Sequence, residues 1–250
     1  RGKISSIVHY HNSYFVGFLM DGILLLEKQK ETNHYQIQSL PINSGVFCLK
    51  KDRFQDVVWI GTDGQGVYLY SNPLYSIKSM VLSNYTEKIE RPVRAIYLDD
   101  ERTFWVGTKG NGILKIYDYE FDKNISDCRA EVLTTSNSAL SSNAVYCFAK
   151  SHRNLLWIGD EEGLTYYSYR EKRIKSIPIR IGNEDFKYIH GIYETADSEL
   201  WLASVGMGVV KARIAGTPDN PVIVDAQRYI INDGELGSNL SLIHISEPTR

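Results

Sequence analysis

The stretch Trp59 to Ser71, WIGTDGQGVYLYS, places Gly61, Gly64 and Gly66 behind an apolar run. A G-x-x-G-x-G cluster of this kind can cradle a phosphate with its backbone N–H groups. His9 and His11 form an H-x-H, a pair able to ligate a metal from one strand face. Glu161 and Glu162 are adjacent acids, the raw material of general acid–base work. Each set fails a requirement of its own chemistry. The histidines lie where a strand runs into its turn and have no third ligand near them. The acids fall in a hairpin turn, where charge is solvated. The glycine phrase recurs as WVGTKGNGILKIYD from Trp105, WIGDEEGLTYYS from Trp157, WLASVGMGVVKA from Trp201 and FVGFLMDGILLLE from Phe15. A cofactor loop occurs once per site and a turn once per structural unit, so these glycines read as turn residues. H-E-x-x-H, G-x-S-x-G and a P-loop lysine are absent. Cys48, Cys128 and Cys147 lack C-x-x-C spacing, and two of them share one place in the repeat, which makes them small packing residues. The expectation is no catalytic residue, no metal and no cofactor.

The elements behind the phrase follow from its period. All four tryptophans and Phe15 are anchors, spaced 44, 46, 52 and 44 residues apart. About twelve residues before each anchor lies a first apolar stretch: ISSIV from Ile4, VFCLK from Val46, VRAIY from Val93, VYCFA from Val145 and IHGIY from Ile189. A polar turn joins stretch to anchor, and the glycine turn leads to a third apolar run such as VYLY or ILKIY. Weaker runs, SIKSMVL (Ser76–Leu82) and IKSIPI (Ile174–Ile179), supply a fourth. Apolar residues keep no 3.6-residue period, so helix is scarce. Four short strands per 40–50 residues is the signature of a β-propeller blade. A small twisted sheet that is apolar on both faces must be sandwiched between neighbours. The third residue of the first strand is small in every copy (Ser6, Cys48, Ala95, Cys147, Gly191), as expected where blades converge. The predicted fold is all-β: a partial propeller of about five four-stranded blades over residues 1–240, plus the start of a sixth.

With 43% hydrophobic residues and a formal net charge of −2, the chain can bury a core and gives no support for nucleic acid as partner. Its apolar runs are strand-sized, well short of a membrane helix. It begins without Met in mid-strand pattern, as a fragment would. LGSNL (Leu236–Leu240) repeats the S-N lead-in to a first strand, and Ser241–Arg250 resembles a translated sequencing adapter, a non-native tail. Three N-x-S/T sequons, at Asn84, Asn124 and Asn239, are near chance in number.

The pattern V-x-x-I-Y, turn, L-W-I-G-T-x-x-x-G resembles the propeller repeat of two-component regulators, as in the periplasmic sensor region of bacterial hybrid two-component systems. LSSNAVYCFAKSHRNLLWIGDEEGL (Leu140–Leu164) is a close copy, including the S-N-x-V lead-in at Ser142, Asn143 and Val145. The first copy departs with Phe15 for Trp and Phe18 for Thr, and the fourth lacks one turn residue before Gly163. The resemblance implies seven blades in the full ring, a glycan fragment as signal, a homodimeric intact receptor and a periplasmic location. The remaining blades, a second propeller and the kinase would lie elsewhere in the same protein. A structural or protein-interaction propeller, and a propeller lyase or glycosidase, are the rival readings. Ligand-binding candidates come from the second residue of the first strand, which changes sharply between repeats: Ser5, Phe47, Arg94, Tyr146, His190. Arg94, Tyr146 and His190 are able to read a polar ligand by hydrogen bonds and stacking. The hairpin tips Asp63, Gln65, Lys109, Asn111, Asp160 and Met207 are weaker candidates.

Overall fold

The structure, a computed structural model, describes residues 2–29, 34–71, 76–80, 91–120, 128–196 and 198–230. The lead-in at 236–240, the ending 241–250 and the three sequons lie outside those residues. Every regular element among the described residues is a strand. The chain divides into two compact units, Arg1–Val132 and Leu133–Arg250.

The first unit holds three four-stranded antiparallel sheets in chain order. They are β1 (Ile4–Tyr10), β2 (Ser13–Phe18), β3 (Ile23–Lys28) and β4 (Tyr35–Ser39); β5 (Val46–Lys51), β6 (Val57–Thr62), β7 (Val67–Ser71) and β8 (Ser76–Ser79); and β9 (Val93–Leu98), β10 (Phe104–Thr108), β11 (Ile113–Ile116) and β12 (Ala130–Leu133). The second unit holds β13 (Val145–Lys150), β14 (Leu155–Asp160), β15 (Leu164–Ser168) and β16 (Arg173–Ile177). A short hairpin, β17 (Arg180–Ile181) and β18 (Glu184–Asp185), separates these from β19 (Ile189–Glu194), β20 (Glu199–Ser204), β21 (Gly208–Thr217) and β22 (Asn220–Tyr229). Five four-stranded meanders are the five predicted blades.

The cores lie between consecutive sheets. Phe15, Ile23 and Leu25 of the first sheet meet Val46, Leu49, Val58 and Ile60 of the second. Trp59, on the other face of that second sheet, packs with Phe104, Leu114 and Ile116 of the third. Trp157 and Tyr166 meet Leu200, Leu202 and Val210 in the second unit. Phe15, Trp59 and Trp157 therefore sit in the middle of a second strand and face the following blade of the same unit. Phe15, Trp59, Trp105 and Trp157 are wholly buried. Burying one indole removes on the order of 200 Å² from water, roughly 5 kcal/mol at about 25 cal/mol/Å². Trp201 is only half-buried, with Tyr229 stacked beside it at 5.9 Å.

The glycine reading needs one correction. Gly64, Gly66, Gly110, Gly112, Gly163, Gly206 and Gly208 have positive φ and do turn the chain. Gly61 does not: it lies inside β6 with ordinary φ. A Cβ there would run into the Cys48 sulfur and stand 2.8 Å from Val93 Cγ1. Gly159 repeats this, with Cys147 Sγ and the Ile189 carbonyl both 2.5 Å from such a Cβ. These two glycines are required by close approach, not by turning.

A candidate ligand-binding rim of bulged residues

Antiparallel register gives the five variable positions the same place in each of their sheets. In the second sheet Val46 pairs Thr62 and Cys48 pairs Gly61, so Phe47 is an extra residue with no partner across the ladder. The same skip isolates Ser5, Arg94, Tyr146 and His190 in their own sheets. Every one is the bulged residue of a β-bulge, a device that re-aims a side chain out of the ladder. The strands packed on one another at this end are the first strands: β1 on β5 and β5 on β9 in the first unit, β13 on β19 in the second. The small residue after each bulge permits that approach. The Cys48 thiol points at the Val93 carbonyl (3.9 Å) and the Cys147 thiol at the Ile189 carbonyl (3.5 Å). Burial pushes both thiols up to about 12, which leaves them protonated and unreactive, as packing residues should be.

Within each unit the bulged residues contact the neighbouring blade. Ser5 Oγ donates to the Val46 carbonyl. The Arg94 guanidinium lies over the Phe47 ring, 3.6 Å from its centroid. Tyr146 and His190 stack at 4.0 Å with 16° between their planes. All five are half-buried, with part of each side chain open to solvent. The structure thus joins Tyr146 to His190 within the second unit. Arg94, in the first, is joined to Phe47, a residue of the same column that sequence reasoning left off its short list. The signal for Phe47 was present, since a flat ring one repeat before an arginine is a ready platform for a guanidinium.

The hairpins between second and third strands share this end. Asp63 N donates to Gly45 O, Lys109 N to Pro92 O and Glu161 N to Ala144 O, at 2.8–3.0 Å. Each bond ties a hairpin to the residue just before its own first strand. Asp160 is not a tip. It is the fully buried last residue of β14, standing where the second and third repeats have Thr62 and Thr108. It accepts from Ser141 Oγ (2.6 Å), Thr165 Oγ1 (2.8 Å), Glu162 N (2.9 Å) and Gly163 N (3.0 Å). Burial raises its pKa against the pull of those donors. Met207 accepts from Lys187 N through its sulfur at 3.4 Å. Asp63, Gln65 and Lys109 stand at their hairpins, while Asn111 is half-buried with its backbone N held by Thr108 Oγ1.

The remaining sets behave as solvated or structural groups. His11 pairs with Asp56 at 2.8 Å and His9 packs on Tyr14. Among the described residues no three His, Cys, Asp or Glu side chains gather to hold a metal. Glu162 pairs with Lys187. Sequence reasoning also missed the pins that orient the anchors. Asp52 accepts Trp59 Nε1–H and Asp99 accepts Trp105 Nε1–H, both at 2.8 Å and both buried. The fourth repeat has Ser151 near that place, and Trp157 donates instead to Glu194 at 2.6 Å.

No family model matches the chain. Histidine kinase P4 of Formosa agariphila is 23% identical over 227 residues, 86% of this chain and 15% of the kinase. Translation initiation factor 6 of Saccharolobus solfataricus is 31% identical over 140 residues, 51% of this chain and 57% of that protein. That second match spans too little of the five-repeat array to assign a family. Among solved structures, one described as the extracellular domain of a hybrid two-component system from B. thetaiotaomicron superposes with a TM-score of 0.70 at 22% identity, covering 96% of this chain and 30% of that one. The β-propeller domain of Myceliophteria thermophila Cps50 superposes at 0.60 with 13% identity, covering 93% and 74%. The chain therefore spans about a third or less of the kinase and of the sensor domain it resembles, and the fold it shares with these structures is that of a β-propeller.

Proposed function

We propose that this chain is part of the ligand-detecting propeller of an extracytoplasmic sensor, in a membrane-bound hybrid two-component regulator, and that it works by binding and not by catalysis. The observation that carries the reading is its likeness, over 96% of its length, to the extracellular domain of such a system. The rim supports it from below: one repeated scaffold presents five different side chains at the same bulge, which is how a fixed frame acquires a specific face. Arg94 offers a forked cation for a carboxylate or sulfate, and Tyr146 with His190 offers ring surface and polar edges. An acidic glycan fragment fits that set, with the intact receptor dimeric and the rim in the periplasm.

Calorimetry on the complete sensor with a panel of glycan fragments tests this. Arg94→Ala is expected to weaken an acidic ligand by about 1.5–3 kcal/mol, the range for charge-assisted hydrogen bonds, with little change in Tm. A ligand that binds this variant unchanged rules the rim out as its site. A protein-interaction propeller without small ligand is the second reading: the same variable bulges can as well be read by a protein surface. Binding of a partner protein, with every glycan inert, decides for it.

A further inference from the structure

Each of the five meanders ends on its fourth strand, the strand that a propeller leaves at its perimeter. Four of these five edges carry a feature that discourages pairing with another chain. β8 has Lys78, β12 has Glu131, and β16 has Arg173 and Lys175. β22 has Asp225 and Arg228, and its register to β21 skips Val224, a bulge. Charges and bulges are what keep sheet edges single. β4 (YQIQS) has neither: it holds no charged residue and no proline, and its register to β3 runs unbroken. All of its residues are exposed, Ile37 at 64% and Tyr35 at 42%. Among the described residues β4 pairs with β3 alone.

The bonds that flank β4 fix which of its backbone groups face outward. Leu40 N donates to Ile23 O, and Gln29 N donates to His34 O. Pairing groups alternate along an antiparallel ladder, so His34, Gln36, Gln38 and Leu40 are the residues bonded to β3. The N–H and C=O of Tyr35, Ile37 and Ser39 are directed away from it. The sequence is symmetric about the middle one of these three: a glutamine stands on each side of Ile37, with Tyr35 and Ser39 beyond. Run antiparallel, such a segment is its own complement, which is the requirement of a two-fold interface.

We infer that β4 pairs with the β4 of a second copy of this chain, antiparallel and centred on Ile37. In that register Ile37 exchanges both of its backbone bonds with the Ile37 of the other copy, and each Tyr35 does so with the facing Ser39. Moving the centre to Gln36 or Gln38 leaves one end of each strand without a partner. The centred register also sets Gln36 beside Gln38 of the other copy, where each amide both donates and accepts. No like charges meet. A foreign strand matches the backbone bonds equally, but the symmetry about Ile37 is matched by a second copy. One pair of short strands buries less than a stable interface does, so the dimer is weak and concentration-dependent. It supplies a contact surface for a dimeric receptor and does not depend on the rim.

The test is sedimentation of the 250-residue chain over about a hundredfold range of concentration, with disulfide trapping to read the register. A monomer–dimer equilibrium is expected. Ile37→Lys puts a charge on this edge as the other fourth strands have. It is expected to shift the equilibrium about tenfold or more towards monomer, with Tm unchanged because Ile37 is mostly exposed. Under mild oxidation Ile37→Cys is expected to form covalent dimers, since facing Cα atoms in a hydrogen-bonded pair stand about 5.5 Å apart. Tyr35→Cys alone is expected to form none, its two copies lying roughly 14 Å apart across the pair. Mixed with Ser39→Cys chains it is expected to cross-link. The unsubstituted chain controls for Cys48, Cys128 and Cys147. Absence of a concentration-dependent dimer, a dimer that survives Ile37→Lys, or Tyr35→Cys that cross-links alone as readily as Ile37→Cys overturns the proposal. Each readout is association between copies, so failure here leaves the calorimetric test of the rim standing.

Discussion

Opposite each small residue of a first strand stands a small residue of the second, and the pair shares one fixed volume. The pairs are Ser6 with Gly17, Cys48 with Gly61, Ala95 with Gly107, Cys147 with Gly159, and Gly191 with Ala203. The fifth blade has exchanged the two roles: its glycine is on the first strand and its side chain on the second. This makes a quantitative prediction for Gly61→Ala. Gly61 has ordinary φ, so alanine brings no backbone strain, and the effect is steric. The new methyl meets the Cys48 sulfur, Val93 Cγ1 at 2.8 Å and the Val93 carbonyl at 3.1 Å. Overpacking of this kind costs about 1–3 kcal/mol, less about 0.5–1 kcal/mol regained from the glycine's lost freedom.

Cys48→Gly alone removes a half-buried thiol and adds a flexible residue, at about 1.5–2 kcal/mol. In the double variant the worst contact is gone, and Val93 Cγ1 can turn aside. The two costs are then expected to fall short of additivity by about 1–2 kcal/mol, well outside the scatter of independent sites. Urea unfolding followed by circular dichroism and tryptophan fluorescence measures all four corners of the cycle. Additivity within about 0.5 kcal/mol refutes the shared-volume argument. It would mean that Gly61 is set by Val93 alone and that the reversal in the fifth blade is incidental.

Further expectations follow from the anchors and the thiols. Asp52→Ala strands the Trp59 indole N–H and the Phe54 and Gln55 amides that the carboxylate accepts. It is expected to cost about 2–4 kcal/mol in the same urea assay, whereas Ser151→Ala, whose neighbour Trp157 is held by Glu194, should cost under about 1 kcal/mol. Acrylamide should quench one tryptophan of the four readily, and Trp201→Phe should remove that fraction; a fully shielded Trp201 indicates that its face is covered in solution. Cys48 and Cys147 titrate near 12 in the fold against an ordinary 9.0, so their contribution is whole below about pH 9 and lost as pH rises towards 12. Thiol reagents at pH 8 should react only after denaturant is added.

The blades were legible because a propeller repeats its own core: one tryptophan per second strand and one glycine turn per hairpin are visible as a period before any pairing is known. The small-residue column was legible too, as five copies of one constraint. What stayed hidden was the partner of each constraint. Gly61 comes two residues after a tryptophan just as Gly64 comes two after a threonine, and only the register separates a glycine that turns from one that yields to a sulfur. The same holds for the rim. That Phe47, Arg94, Tyr146 and His190 vary could be read from the repeats. That each is a bulged residue could not, because a bulge is a difference in count between two strands and each strand alone looks regular. Asp52 and Asp99 were within reach, lying seven and six residues before their tryptophans; the changed spacing concealed one column as two unrelated acids.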